Sequence, residues 1–172
     1  MDKFKKFKVD FTNTEETPFF QVTSNHRIRF DMDLFVNNNT RLLKNILDNL
    51  FNQNEKINSS FICGYIINGK RIHEKTGLGK FTKIRNWKET LIKNDNFTSS
   101  TIFASIKNLN YQDVYKYCQN VSQGHPSAYI SFYNDNYLLY INQDVLDIIS
   151  FNEKLIEQLK TKYAVEYDKY YE

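Results

Sequence analysis

The stretch Ser60-Phe61-Ile62-Cys63-Gly64-Tyr65-Ile66-Ile67-Asn68-Gly69-Lys70-Arg71-Ile72-His73-Glu74-Lys75 sets the fold class. Residues 60–67 are apolar almost throughout, as expected of a central strand covered on both faces. Asn68-Gly69 supplies the two positive-φ positions of a type I′ turn, so the chain is expected to double back through Lys70 to Lys75 as a hairpin.

Working outward from this hairpin, two periods alternate. His26 to Leu34 places Ile28, Phe30, Met32 and Leu34 on one side and Arg27, Arg29, Asp31 and Asp33 on the other, which predicts a strand with one wet face. Thr40 can then cap a helix whose Leu42, Leu43, Ile46, Leu47, Leu50 and Phe51 form one apolar stripe. Beyond the hairpin, Gly77 and Gly79 break the run, and Phe81, Ile84, Trp87, Leu91 and Ile92 are spaced for a helix carrying a basic face. Residues 98–107 alternate as a further strand, and Asn110, with Asp113 three residues on, resembles the N-cap of a helix burying Val114, Tyr117, Cys118 and Val121. Ala128 to Tyr133 and Tyr137 to Asn142 read as a second hairpin turning at Asn134-Asp135-Asn136. Ser150 and Glu153 have capping-box spacing, ahead of a terminal helix through Leu155, Ile156, Leu159, Tyr163, Tyr167 and Tyr170.

The expected architecture is a single α+β domain over residues 1–172. It comprises a mixed, largely antiparallel sheet of four to six strands and three to four packed helices. Residues 1–25 lack a sustained period and read as an irregular N-terminal arm with one short strand over Lys6 to Phe11; residues 26–172 form the core. A chain of 172 residues can bury well over half of its unfolded surface around one core, so one domain suffices. Cys63 and Cys118 each stand in an apolar segment, which suits buried reduced thiols. The N-terminus has no apolar core of the kind a signal peptide needs, and no apolar run reaches bilayer length, so cytoplasmic residence without a membrane is expected.

Several local phrases carry a likeness. Pro18-Phe19-Phe20 ahead of Ile28-Arg29-Phe30-Asp31, a helix ending at Leu50-Phe51, and a hairpin before the helix Leu155 to Tyr167 together resemble the bacterial domain-of-unknown-function family 3885, over residues 18–170. The chain departs from that pattern at Asn134-Asp135-Asn136, which replaces a Gly-containing turn, at the apolar run Leu138 to Ile141, and in a longer segment from Arg71 to Lys83. The resemblance implies a small cytoplasmic α+β protein of low-GC Gram-positive bacteria, and it carries over no active site.

Charge is polarised although its sum is only +3. From Lys70 to Lys93 there are eight bases against two acids, a net +6, while Asp144 to Glu172 holds seven acids against four bases, a net −3. Such a field steers oppositely charged partners. Lys70, Arg71, Lys75, Lys80, Lys83, Arg85 and Lys88 are therefore candidate contacts for an anion or nucleic acid, with Phe81 and Trp87 interleaved as stacking groups. Tyr163, Glu166, Tyr167, Asp168, Tyr170 and Tyr171 form an acidic, Tyr-rich end, a composition favoured where proteins dock.

Catalytic signatures are sparse. His26, His73 and His125 have no His or Cys at metal-pair spacing, and neither a metal nor a cofactor is expected. Cys118 and His125 would make a thiolate–imidazole couple only if the fold brought them together. Asp31 and Asp33 read as surface charge pairing on one strand, and Gly77-Leu78-Gly79-Lys80 as either a helix-entry turn or a small anion cradle. These features favour a non-enzymatic protein-binding module, most concretely an immunity or antitoxin protein that occludes a bacterial toxin. Nucleic-acid binding through residues 70–93 and an enzyme with an unrecognised site are the alternatives.

Overall fold

The computed structural model describes residues 2–36, 40–82, 84, 86–94 and 99–172. Among these residues the strands are β1 Arg27–Asp31, β2 Ile57–Ile67, β3 Lys70–His73, β4 Lys88–Lys93, β5 Ser99–Leu109, β6 Ile130–Tyr133, β7 Leu138–Ile141 and β8 Val145–Ile149. The helices are α1 Thr40–Leu50, α2 Tyr111–Ser122 and α3 Glu153–Lys162. All eight strands join one sheet in the order β1-β8-β7-β6-β2-β5-β4. The first half of β2 pairs with β6, and its second half pairs with β3.

Every pairing is antiparallel, which corrects the expected mixed sheet, and eight strands exceed the expected four to six. Two strands account for the excess. β8 follows a tight Asx turn in which Asn142 Oδ1 accepts from the amides of Asp144 and Val145, both at 2.8 Å, so the chain re-enters the sheet only four residues after leaving β7. β4 lies where a basic helix was expected; Lys88 to Lys93 pairs along the outside of β5, and the sequence there, with Thr90 and Ile92, favours an extended chain.

Both hairpins form as read. Asn68 and Gly69 adopt φ of 49° and 76° between β2 and β3. Between β6 and β7 the Asn134 side chain accepts from the amides of Asn136 and Tyr137 and donates to the Leu50 carbonyl at 2.7 Å, so the turn also caps α1. Gly64 marks a register shift of β2 against β5. A Cβ there would overlap the Ile72 carbonyl oxygen of β3. Because that neighbour is backbone in a paired strand, Gly64→Ala is expected to cost about 1–3 kcal/mol by overpacking. Urea unfolding followed by far-ultraviolet dichroism measures this, and an unchanged midpoint would mean that β3 moves freely.

The sheet is covered on both faces. On one face Phe30, Phe61, Ile102, Phe132, Leu139 and Ile148 meet the helices: Leu43, Ile46, Leu47 and Leu50 of α1, Val114, Tyr117, Cys118 and Val121 of α2, and Ile156 and Leu159 of α3. The apolar spacing of α1 is the i, i+3, i+4, i+7 stripe read from the sequence. On the other face Ile62, Phe103, Tyr133, Leu138, Tyr140 and Ile149 are covered by Phe4, Phe7, Val9 and Phe11. The N-terminal segment holds no strand over Lys6 to Phe11; Asp2–Phe7 is a 3-10 helix, and the chain turns at Lys8 with φ of 56°. Phe4 stacks on Phe11 with centroids 4.6 Å apart, and Phe11 leans on Tyr129 at 4.7 Å.

Two further expectations change. The face of β1 expected to be wet is wet only at its ends: Arg29 is buried, Arg27 is half-buried and Asp31 is exposed, and β1 passes into a 3-10 turn at Met32–Phe35, which takes Asp33 off the strand. The terminal helix ends at Lys162 rather than running to Tyr170. Its N-cap is Asn152, whose side chain accepts from the Lys154 amide, and Ser150 instead donates to the Asn136 carbonyl. No helix among the described residues is long and apolar enough to cross a membrane.

Candidate functional site

Three places gather polar or exposed groups: the β3/β4 end of the sheet, the C-terminal segment, and a cavity beside the end of α2.

At the sheet end, Arg71 on β3 grips Glu89 on β4 with two bonds, Nη2 to Oε1 at 2.6 Å and Nη1 to Oε2 at 3.1 Å. Strands β2 and β5 lie between them, and in a flat sheet three strand spacings of ~4.8 Å would hold β3 and β4 far apart. The contact therefore reports a sheet that curls at this end. Trp87 donates its indole N–H to Glu89 Oε1 at 2.9 Å and stands edge-on to Phe61, with centroids 5.3 Å apart. Hydrogen bonds from Arg71 and Trp87 hold the Glu89 carboxyl below its usual range.

β4 is an edge strand of the sheet. Nothing pairs with the outer side of β4 among the described residues. The Asn94 amide donates to the Ser99 carbonyl at 3.1 Å, which fixes the alternation of the ladder. Lys88, Thr90 and Ile92 turn their backbone groups toward β5, whereas Glu89, Leu91 and Lys93 turn theirs outward. Trp87 and Leu91 sit on the helix-bearing face beyond the reach of the helices, 44% and 50% exposed. Ile67 and Ile72, also exposed, lie on the opposite face.

The candidate bases do not form one helical face. Lys70 and Arg71 are on β3, Lys88 is on β4, and Lys75 and Lys80 lie in the connection between these strands; Lys83 and Arg85 fall outside the described residues. Arg71 is taken by Glu89, whereas Lys70, Lys75, Lys80, Lys88 and Lys93 have no ion-pair partner among the described residues.

No family model, no curated protein and no solved structure matches the chain.

The Tyr-rich C-terminal end is mostly folded back on the protein. Tyr163 is buried, edge-on to Phe30 at 5.6 Å, and its hydroxyl accepts from Asn49 Nδ2 at 2.8 Å. Tyr167 donates to Glu172 at 2.8 Å, the Glu166 amide bonds the Tyr163 carbonyl, and the Asp168 amide bonds the Arg29 carbonyl at 2.9 Å. Tyr171 packs against Phe19 and Phe20 and over the Arg29 guanidinium at 5.1 Å, and its carbonyl accepts from Arg27 at 3.1 Å. Tyr170 projects, at 84% exposed.

Under this tail lies a feature that the sequence reading missed. Arg29 on β1 pairs with Asp147 on β8 through Nε to Oδ1 at 2.7 Å and Nη2 to Oδ2 at 2.9 Å, and both side chains are buried. Phe19 covers the guanidinium, its ring centre 4.0 Å away. The available signal was a single acid inside the apolar run Val145-Leu146-Asp147-Ile148-Ile149.

The histidines and cysteines are dispersed. His26 Nδ1 meets the Ser150 carbonyl at 3.0 Å and its Nε2 lies 3.3 Å from Glu153, while His73 is exposed on β3. Cys63 and Cys118 are free and buried, and burial pushes the Cys118 thiol up. Cys118 is sealed in the core whereas His125 stands at an exposed rim, so the two share no opening. No cluster of three or more metal-ligating side chains occurs among the described residues.

The cavity beside the end of α2 measures about 420 Å³ and is bounded by Lys75, Gly77, Lys80, Phe81, Tyr117, Asn120, Val121, His125 and Pro126. Tyr117 is fixed by its hydroxyl, which accepts from the Ala128 amide at 3.2 Å, and burial pushes its phenol up to about 12.

Proposed function

We propose that this protein is a binding module that docks a partner protein by adding one of the partner's strands to the open edge of β4. The observation that carries the reading is the unpaired outer ladder of β4, flanked by exposed Trp87 and Leu91. Strand addition draws affinity from main-chain bonds and specificity from the side chains beside them. The partner is an acidic protein surface, because Lys88 and Lys93 on β4 and Lys70 on β3 have no ion-pair partner among the described residues and would repel a basic one. An inhibitor that occludes a bacterial toxin is the most concrete form of such a module. The Tyr-rich end, the surface favoured from composition, is less suited, since Tyr163, Tyr167 and Tyr171 are already engaged within the chain.

Trp87 is the chain's single tryptophan and so reports on this edge without a label. Titration with the purified product of the adjacent gene is expected to shift its emission to the blue, with a dissociation constant below micromolar. Leu91→Pro removes an outward N–H without touching the bonds to β5, and it is expected to weaken binding at least ~10-fold, or about 1.4 kcal/mol. A partner that binds with unchanged Trp87 emission and unchanged affinity for Leu91→Pro would overturn the edge reading. Tight, steeply salt-dependent binding of single-stranded RNA or DNA instead would move the function to nucleic acid.

A further inference from the structure

We infer that the cavity at the end of α2 is a binding site for a small ring-bearing anion, a molecule that joins an aromatic ring to a phosphate or carboxylate. Its size lies within the range of about 300–1,000 Å³ typical of small-molecule sites. Its floor is apolar: Val121 and Tyr117 are buried, and Phe81 stands edge-on to Tyr117 with centroids 6.3 Å apart. Phe81 is half-buried at the opening, a position from which its ring can meet another flat ring.

The mouth has the opposite character. Lys75, Lys80 and His125 line it, and no acid does among the described residues. Neither lysine has an ion-pair partner among the described residues. Two ammonium groups over an apolar floor leave the site with uncompensated positive charge, which complements a ligand whose anionic group stays at the rim while its ring enters.

The end of α2 does not cancel this field. A helix C-terminus carries partial negative charge on its unpaired carbonyls. Here the Asn120 carbonyl accepts from the Gln123 and His125 amides, and the Val121 carbonyl accepts from the Gly124 amide at 2.9 Å. The turn through Gly124, with φ of 84°, thus covers two of the last carbonyls and places His125 and Pro126 at the rim. Asn120 commits its amide nitrogen to the Lys116 carbonyl at 2.8 Å, so its oxygen is the group offered to a donor on the ligand. This site is separate from the β4 edge, and its success or failure leaves the docking proposal standing on its own test.

The test is a titration followed by 1H–15N correlation spectra, with phenyl phosphate, inorganic phosphate and phenol as probes. Phenyl phosphate is expected to shift the amides of Gly77, Gly79, Val121 and His125 with sub-millimolar affinity, at least ~10-fold tighter than either half-probe. The double charge reversal Lys75→Glu with Lys80→Glu, both at exposed positions and so compatible with folding, is expected to weaken phenyl phosphate at least ~10-fold. Three results would each overturn the inference: no shifts at millimolar probe, inorganic phosphate binding as well as phenyl phosphate, or unchanged affinity in the charge-reversed variant.

Discussion

Deletion of residues 1–11 is expected to abolish cooperative folding. Phe4, Phe7, Val9 and Phe11 are each buried to within a few per cent, and they supply the buried apolar cover of the sheet face formed by Ile62, Phe103, Tyr133, Leu138, Tyr140 and Ile149, with Val22 packed beside them. Burial of one such side chain contributes about 1.5–3 kcal/mol, so four amount to roughly 6–12 kcal/mol. That sum is an upper figure, because an unfolded chain already hides part of its apolar surface. It is nonetheless of the same order as the entire stability of a typical domain, about 5–15 kcal/mol. The truncated protein should retain strand dichroism, bind a hydrophobic dye and lose a sharp thermal transition. Single substitutions grade the effect: Phe11→Ala, which removes contacts with Phe4, Phe103 and Tyr129 together, should cost about 3–5 kcal/mol. A truncated chain that melts cooperatively near the parent temperature would show that the second face holds without its cover.

The same segment illustrates what was legible in the chain and what was not. The β2–β3 hairpin, α1 and the β6–β7 turn were readable because each is specified locally, by Asn68-Gly69, by a 3.6-residue stripe and by Asn134. The packing of residues 4–11 was not, because a cover without regular structure has no period; Phe4, Phe7, Val9 and Phe11 signal burial but not what they are buried against. The strand β4 was misread because Phe81, Ile84, Trp87 and Leu91 fall at helical spacing by coincidence, and the pairing with β5 that decides the matter is non-local. Similarly, tyrosines at 163, 167 and 170 continue the period of α3, but the chain leaves the helix at Tyr163 so that the Asp168 amide can reach the Arg29 carbonyl and Tyr171 can cover the guanidinium. Of the candidate surfaces, the charge polarity was visible in the sequence. The open edge and the cavity depend on which strands pair and where α2 ends, and composition carries neither.

Asp147→Leu is expected to destabilise the protein by about 3–5 kcal/mol, the range seen when one partner of a buried ion pair is removed. Arg29 cannot lose its proton, and within its site Asp147 is the acceptor for both of its hydrogen bonds, so the substitution strands a guanidinium beneath Phe19 and Tyr171. At this chain length the loss corresponds to a fall in melting temperature on the order of 10 °C. The double replacement Arg29→Met with Asp147→Leu should recover most of it, since filling the site with apolar side chains removes the stranded charge along with the pair. The pH dependence separates the pair's charge from its packing. Burial pushes the Asp147 carboxyl up to about 6, against the opposing pull of Arg29, while the hydrogen bonds and charge of Asp147 outweigh burial to hold the Arg29 guanidinium above its usual range. The carboxyl is the partner that titrates under accessible conditions. An unfolded aspartate ionises near ~3.9, so between about pH 4 and pH 6 the folded state binds more protons than the unfolded one, and this group's contribution to stability falls as pH rises through that window. A neutral carboxyl still offers Arg29 one acceptor, which is why protonation relieves the site whereas Asp147→Leu does not. Urea midpoints measured across pH 4 to 7 should therefore decline in the parent relative to the double variant; parallel curves for the two proteins, or a single Asp147→Leu variant as stable as the parent at pH 7, would refute this account of the pair.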